Sequence, residues 1–247
     1  MDRWTAIGDR VLAPVVARLG TDSRLLEFVT PQVDGIVDAG DLADVCRCAP
    51  PTAAALSALL ADARYRHVVK GLVIAARSVP EPLLRPMLVA AARTLNPSCN
   101  QDFVFPCTLT FGRRRVVTTL LDIALTGSNS LKAGAVNALY WAWAPRQVLR
   151  WRPADPAPAP GPPDEPVEDL RQAFLTWAVR EFIENTDVDV RRVLVPHVVS
   201  ARDREPVLAE RAVAIAKNHT DAYIRQRVAS DLGESQLIPC LPNRTEG

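Results

Sequence analysis

A five-position pattern that recurs four times along the 247-residue chain constrains the fold more than any other feature. It runs cap, apolar, basic, apolar, apolar at fixed offsets. The copies are Asp62, Tyr65, Arg66, Val69, Val73, then Ser128, Leu131, Lys132, Ala135, Leu139. They continue as Asp187, Val190, Arg191, Leu194, Val198 and end with Asp221, Ile224, Arg225, Val228, Leu232. Each copy opens on a short side-chain acceptor that can serve the orphan N–H groups of a helix's first turn. Apolar residues follow at i, i+4 and i+8, which is one stripe of a helix. Self-similarity of this kind marks stacked helical hairpins, where no unit buries its apolar face alone.

The spacing supports a repeat. Arg191 and Arg225 are 34 positions apart, and Arg66 and Lys132 are 66 apart, about two units of 33. Lys132 and Arg191 are 59 apart, close to two units once a Pro-rich insertion is allowed for. A degraded copy sits at Asn100, Phe103, Cys107 and Phe111, with Val104 at the basic position and Pro106 inside. Proline there removes an N–H and clashes with the preceding turn, so a broken or shifted helix is expected.

The stretches Asp187-Val-Asp-Val-Arg-Arg-Val-Leu-Val and Thr220-Asp-Ala-Tyr-Ile-Arg-Gln-Arg-Val-Ala resemble the turn and second helix of a HEAT unit. The resemblance to the HEAT-repeat family and its armadillo-like relatives covers most of residues 60–235. It implies an all-α fold, a right-handed α-solenoid of stacked HEAT-like helical hairpins. On this reading residues 1–247 form one domain, with a surface insertion at 153–166 and a disordered tail at 239–247. Function does not come with it, because such solenoids carry many unrelated jobs.

The insertion reads Pro-Ala-Asp-Pro-Ala-Pro-Ala-Pro-Gly-Pro-Pro-Asp-Glu-Pro, a composition of extended polyproline backbone rather than helix. Elsewhere helices are expected nearly throughout. They fall near 2–19, in two or three pieces over 22–60, then near 64–78, 81–95, 113–126, 130–143, 167–184, 188–200, 204–218 and 221–233. The segment 96–111 is expected to be irregular, with Asn96-Pro97 as a stop.

No run of about 18 apolar residues occurs, so no membrane helix is expected. The start of the chain, interrupted by Arg10, Pro14 and Arg18, is not a secretory apolar region, and a cytoplasmic location is expected. Lysine appears only at 70, 132 and 217, an arginine bias that fits a GC-rich bacterial genome. Net charge is +1, so no global field draws the protein towards nucleic acid or membrane. Five cysteines (Cys46, Cys48, Cys99, Cys107, Cys240), an odd number, suggest reduced and mostly buried thiols. Cys46-Arg-Cys48 has the wrong spacing for zinc, and three scattered histidines complete no ligand set, so no metal and no cofactor is expected. There is no Gly-rich phosphate loop, nucleophile elbow or His-Glu-x-x-His, and no catalytic residue is assigned. Asp38, Asp41 and Asp44 look like turn and cap chemistry.

Two groups of residues are candidate binding sites. The first is an aromatic and arginine cluster, Tyr140, Trp141, Trp143, Arg146, Arg150, Trp151 and Arg152, with Arg113-Arg114-Arg115 upstream. One reading packs Tyr140 and Trp143 between hairpins. The other exposes a Trp/Arg surface of the kind favoured at binding hot spots. The second group is the repeated basic position, Arg66, Lys132, Arg191 and Arg225, which on a solenoid would align along the concave face. Solvation and pairing with Asp62, Asp187 and Asp221 is the competing role.

These features point to a non-catalytic scaffold or adaptor that binds a protein through the concave face. Two alternatives stand beside it. One is a DNA-binding protein resembling the HEAT-like alkylpurine DNA glycosylases in architecture, although their catalytic motif is not matched residue by residue. The other is an immunity-type protein specific to one partner.

Overall fold

A computed structural model of the chain describes residues 3–19, 36–94, 96–145, 149–150 and 165–234. Among them the chain is all-helical, with twelve α-helices. These are α1 (Arg3–Leu19), α2 (Ala39–Arg47), α3 (Pro50–Ala61), α4 (Arg66–Ala76), α5 (Leu84–Arg93) and α6 (Pro97–Phe111). They continue as α7 (Arg113–Thr126), α8 (Asn129–Ala142), α9 (Glu168–Glu184), α10 (Val188–Val198), α11 (Pro206–Lys217) and α12 (Ala222–Asp231). No helix among the described residues is long and apolar enough to cross a membrane. The chain divides into two compact units, Met1–Arg171 and Gln172–Gly247. The expected tail at 239–247 and most of the Pro-rich stretch lie outside the described residues.

In the first unit the helices pair as α3–α4, α5–α6 and α7–α8, the members of each pair lying close together in sequence. First helices pack on first helices (α3 on α5, α5 on α7), and second on second (α4 on α6, α6 on α8). Helix α5 also packs diagonally on α8. A Cβ added to Gly134 of α8 would coincide with the carbonyl oxygen of Ala92 in α5, so only a glycine lets these backbones meet. The apolar stripes lie between the layers, with Leu56, Leu60, Val69, Val73, Leu88, Phe103, Cys107, Val117, Leu120, Ala135 and Leu139 buried.

Helix α1 is tied to its neighbours by polar contacts. Arg3 pairs with Asp41 and with Asp44 (2.6 Å) of α2, and the Tyr65 hydroxyl donates to Asp9 at 2.7 Å. Asp38 and Asp41 form a reciprocal capping box at the start of α2, the cap chemistry expected there. Cys48 and Cys107 are buried, Cys99 is half-buried and Cys46 is exposed.

Three local expectations are corrected. Asn96-Pro97 starts a helix instead of stopping one: the Asn96 side chain accepts from the Ser98 N–H, and Pro97 takes the first-turn position where its missing N–H costs nothing. Pro106 neither breaks nor ends α6, which runs on to Phe111. Phe103 and Cys107 on either side of it are fully buried, and that packing outweighs the lost hydrogen bond. Asp62 is not an N-cap. It closes α3, its side chain accepts from the Arg64 N–H, and α4 begins at Arg66.

In the second unit α10 packs on α12 and α11, and α11 packs on α12. Val190, Leu194, Val198, Ile224 and Val228 of the last two copies are fully buried, as their stripe requires. The Asp187 carboxylate accepts from the N–H groups of Asp189 (3.0 Å) and Val190 (3.1 Å), and Asp221 accepts from Ile224 at 3.1 Å.

Candidate binding surface

The repeated basic position does different work in different copies. In the second unit it closes the turn. Arg191 reaches back to the carbonyls of Phe182 (3.2 Å) and Ile183 (3.4 Å) in the last turn of α9, and its guanidinium lies over the Phe182 ring. Arg225 likewise donates to the carbonyls of His219 (2.5 Å) and Thr220 (2.7 Å). The residue two before each cap completes the device: the Asp187 N–H donates to the Asn185 side chain, and the Asp221 N–H donates to the His219 Nδ1. Sequence reasoning saw the Asp and the Arg but not the Asn185 and His219 acceptors, although both stand at the same offset.

The first unit uses the position otherwise. Arg66 is buried, at 6% exposure, and Lys132 is half-buried on α8. Arg192 and Arg227, which stand one and two residues after the repeated position in the last two copies, are paired with Asp221 (2.7 Å) and Asp231 (3.0 Å). Arg192 lowers the pKa of Asp221, and its own is raised in return.

The arginine run that opens α7 is also engaged inside the protein. Arg114 makes a two-pronged contact with Asp169 (2.8 and 2.6 Å) and donates to the Pro166 carbonyl at 2.8 Å. That pairing brings the Asp169 pKa down to about 2. Arg115 pairs with Glu81, and Arg113 reaches the Trp143 carbonyl at 3.5 Å.

The aromatic cluster is different. Tyr140 stands 71% exposed near the end of α8, against the expectation that it packs between hairpins. Its neighbour Leu139 takes the inward direction at this level, and one residue further round the helix turns Tyr140 out to solvent. Trp141 is half-buried. Its ring meets Tyr140 edge-on (4.9 Å between centroids, 84° between planes) and Phe105 of α6 likewise (5.7 Å, 84°). The three rings thus span the second helices of two successive hairpins. Sequence reasoning missed Phe105, which shares α6 with the degraded copy but lies off its buried stripe. Arg150 is half-buried and donates to the Leu149 carbonyl at 2.6 Å, while Arg146 and Trp151 lie outside the described residues.

A second feature is a polar seam inside the α4–α6 interface. Lys70 is 1% exposed, and its Nζ meets the Asp102 carboxylate at 3.0 Å and the Phe103 ring at 5.7 Å. The His67 ring lies edge-on to the same Phe103, 5.4 Å between centroids. Burial, with Lys70 and Arg66 beside it, pushes the His67 pKa down to about 3, so the imidazole is neutral. The sequence signal was a charged residue inside the apolar run Val68-Val-Lys-Gly-Leu-Val-Ile.

Among the described residues, no three or more His, Cys, Asp or Glu side chains gather as metal ligands would. No family model, curated protein or solved structure matches the chain.

Proposed function

We propose that the chain is a non-catalytic protein-binding adaptor. In this reading it is a HEAT-like α-solenoid, and the second helices of its hairpins form the face that receives the partner. The observation that carries it is Tyr140, a large aromatic held 71% exposed, backed by Trp141 and Phe105 across two hairpins. A rigid Tyr/Trp pair offers large amphipathic contact area at low entropic cost, the composition that dominates binding hot spots. The stacking of first on first and second on second helices supports the repeat architecture behind that face.

Nucleic-acid binding is the weaker reading because the candidate cations are engaged within the protein. Arg114, Arg115 and Arg192 sit in carboxylate pairs, and Arg191 and Arg225 hold backbone carbonyls. Cations bound in this way release few counterions from a phosphate backbone.

The test compares wild type with Tyr140→Ser as bait, identifying captured proteins by mass spectrometry and titrating each preparation with duplex DNA at low salt. The adaptor reading expects a partner that binds wild type, is lost from the folded variant, and can be reconstituted from purified components. Micromolar, salt-sensitive DNA binding that charge reversal at Arg191 and Arg225 abolishes would replace it with the DNA reading.

A further inference from the structure

Two side chains, His67 on α4 and Asn100 on α6, leave all their polar atoms orphaned. Both ring nitrogens of His67, and both the oxygen and nitrogen of the Asn100 carboxamide, are sealed from solvent with no hydrogen-bond partner among the described residues. His67 is 1% exposed and Asn100 is fully buried. Both border Phe103: the His67 ring is 5.4 Å from it, and Asn100 lies one turn before it on the same helix. The Lys70–Asp102 pair closes the same interface. Native interiors rarely leave such groups unmade, because each forfeits its hydrogen bonds to water.

We propose that the α4–α6 interface encloses bound water, hydrogen-bonded to the His67 imidazole and the Asn100 carboxamide. The chemistry of the orphans selects this ligand. A neutral imidazole offers one N–H and one lone pair, and a carboxamide offers two N–H groups and a carbonyl. The set therefore asks for donors and acceptors together. An anion would face the carbonyl and the imidazole lone pair, and a cation would face three N–H groups. Water satisfies both signs and needs only two to four polar partners in a small cavity. Burial, with Lys70 and Arg66 beside it, keeps His67 in the neutral form that supplies its lone pair.

The experiment is a water-selective rotating-frame NMR measurement on the isotope-labelled full chain, read at the Asn100 side-chain amide and the His67 ring protons. Cross-peaks to long-lived water at both residues are the expected result. Assigned resonances without them, or a direct His67–Asn100 hydrogen bond seen by scalar coupling, overturn the proposal. Thermal melting of Asn100→Leu gives an independent reading. Stripping the water of a partner lowers the melting temperature, whereas removing a group that was truly unsatisfied raises it. Where that variant fails to fold, the wild-type spectrum alone decides.

Discussion

Replacing Gly134 with alanine sets two effects of opposite sign against each other. In mid-helix, alanine is favoured over glycine by about 1 kcal/mol, because glycine loses more backbone entropy on folding. If α8 stood clear of its neighbours, Gly134→Ala would therefore stabilise the protein. The added Cβ instead falls on the Ala92 carbonyl oxygen, with the Ala92 carbonyl carbon and Cα also in contact. These are backbone atoms of a packed helix, so no side-chain rotation relieves the clash. Overpacking typically costs about 1–3 kcal/mol and more where the site cannot yield. The clash wins, and a net loss of about 2 kcal/mol or more is expected. At roughly 2–4 °C per kcal/mol for a domain of this size, the melting temperature falls by roughly 5 °C or more. Calorimetry or circular-dichroism melting of the two proteins measures it. A variant as stable as wild type, or more so, would refute the close approach of α5 and α8 on which the hairpin stacking depends.

Four further outcomes follow from the same geometry. Asp102→Ala leaves the Lys70 ammonium buried without its carboxylate, costing roughly 3 kcal/mol, and a second change Lys70→Met recovers most of that in chemical denaturation. Leu194→Ala, at a fully buried stripe position, costs roughly 2–5 kcal/mol, and a neutral result would remove the repeat alignment of α10. Asp221→Ala removes both the α12 cap and the Arg192 pair and lowers stability by about 1–2 kcal/mol in the same assay. The His67 pKa is about 3 in the folded chain and near 6.5 unfolded, so the unfolded state binds the extra proton as pH drops. His67 therefore contributes a loss of stability that begins below pH 6.5 and grows until about pH 3, reaching at most about 5 kcal/mol. Against His67→Phe, wild-type stability should fall more steeply across that window, and parallel curves would contradict it.

The parts legible in the sequence are those that depend on one helix at a time. The stripe Val190, Leu194, Val198 and the caps Asp187 and Asp221 follow from periodicity and first-turn chemistry, and α7 spans the 113–126 read from its pattern. What failed depends on neighbours. Pro106 sits inside a continuous helix because Phe103 and Cys107 anchor both flanks, a tertiary fact that local propensity cannot supply. The same motif position holds a buried arginine at 66 and a turn-closing one at 191, since what lies beyond each side chain is set by packing. Tyr140 shows the limit for the candidate site: the stripe puts Leu139 in the core, but helical spacing does not say whether a neighbouring hairpin covers the residue a hundred degrees further round. The Lys70 seam was masked for the same reason, because a charge within an apolar run reads as either a solvent edge or a buried pair.

The most direct test of the adaptor reading is a site-specific photocrosslinker introduced in living cells at Tyr140 and, as a control, at exposed Val207 in the second unit. The expected result is a discrete adduct with one protein from position 140, reproduced with the purified pair and absent from position 207. Equal, diffuse labelling from both positions, or adducts with nucleic acid from position 140, would contradict it.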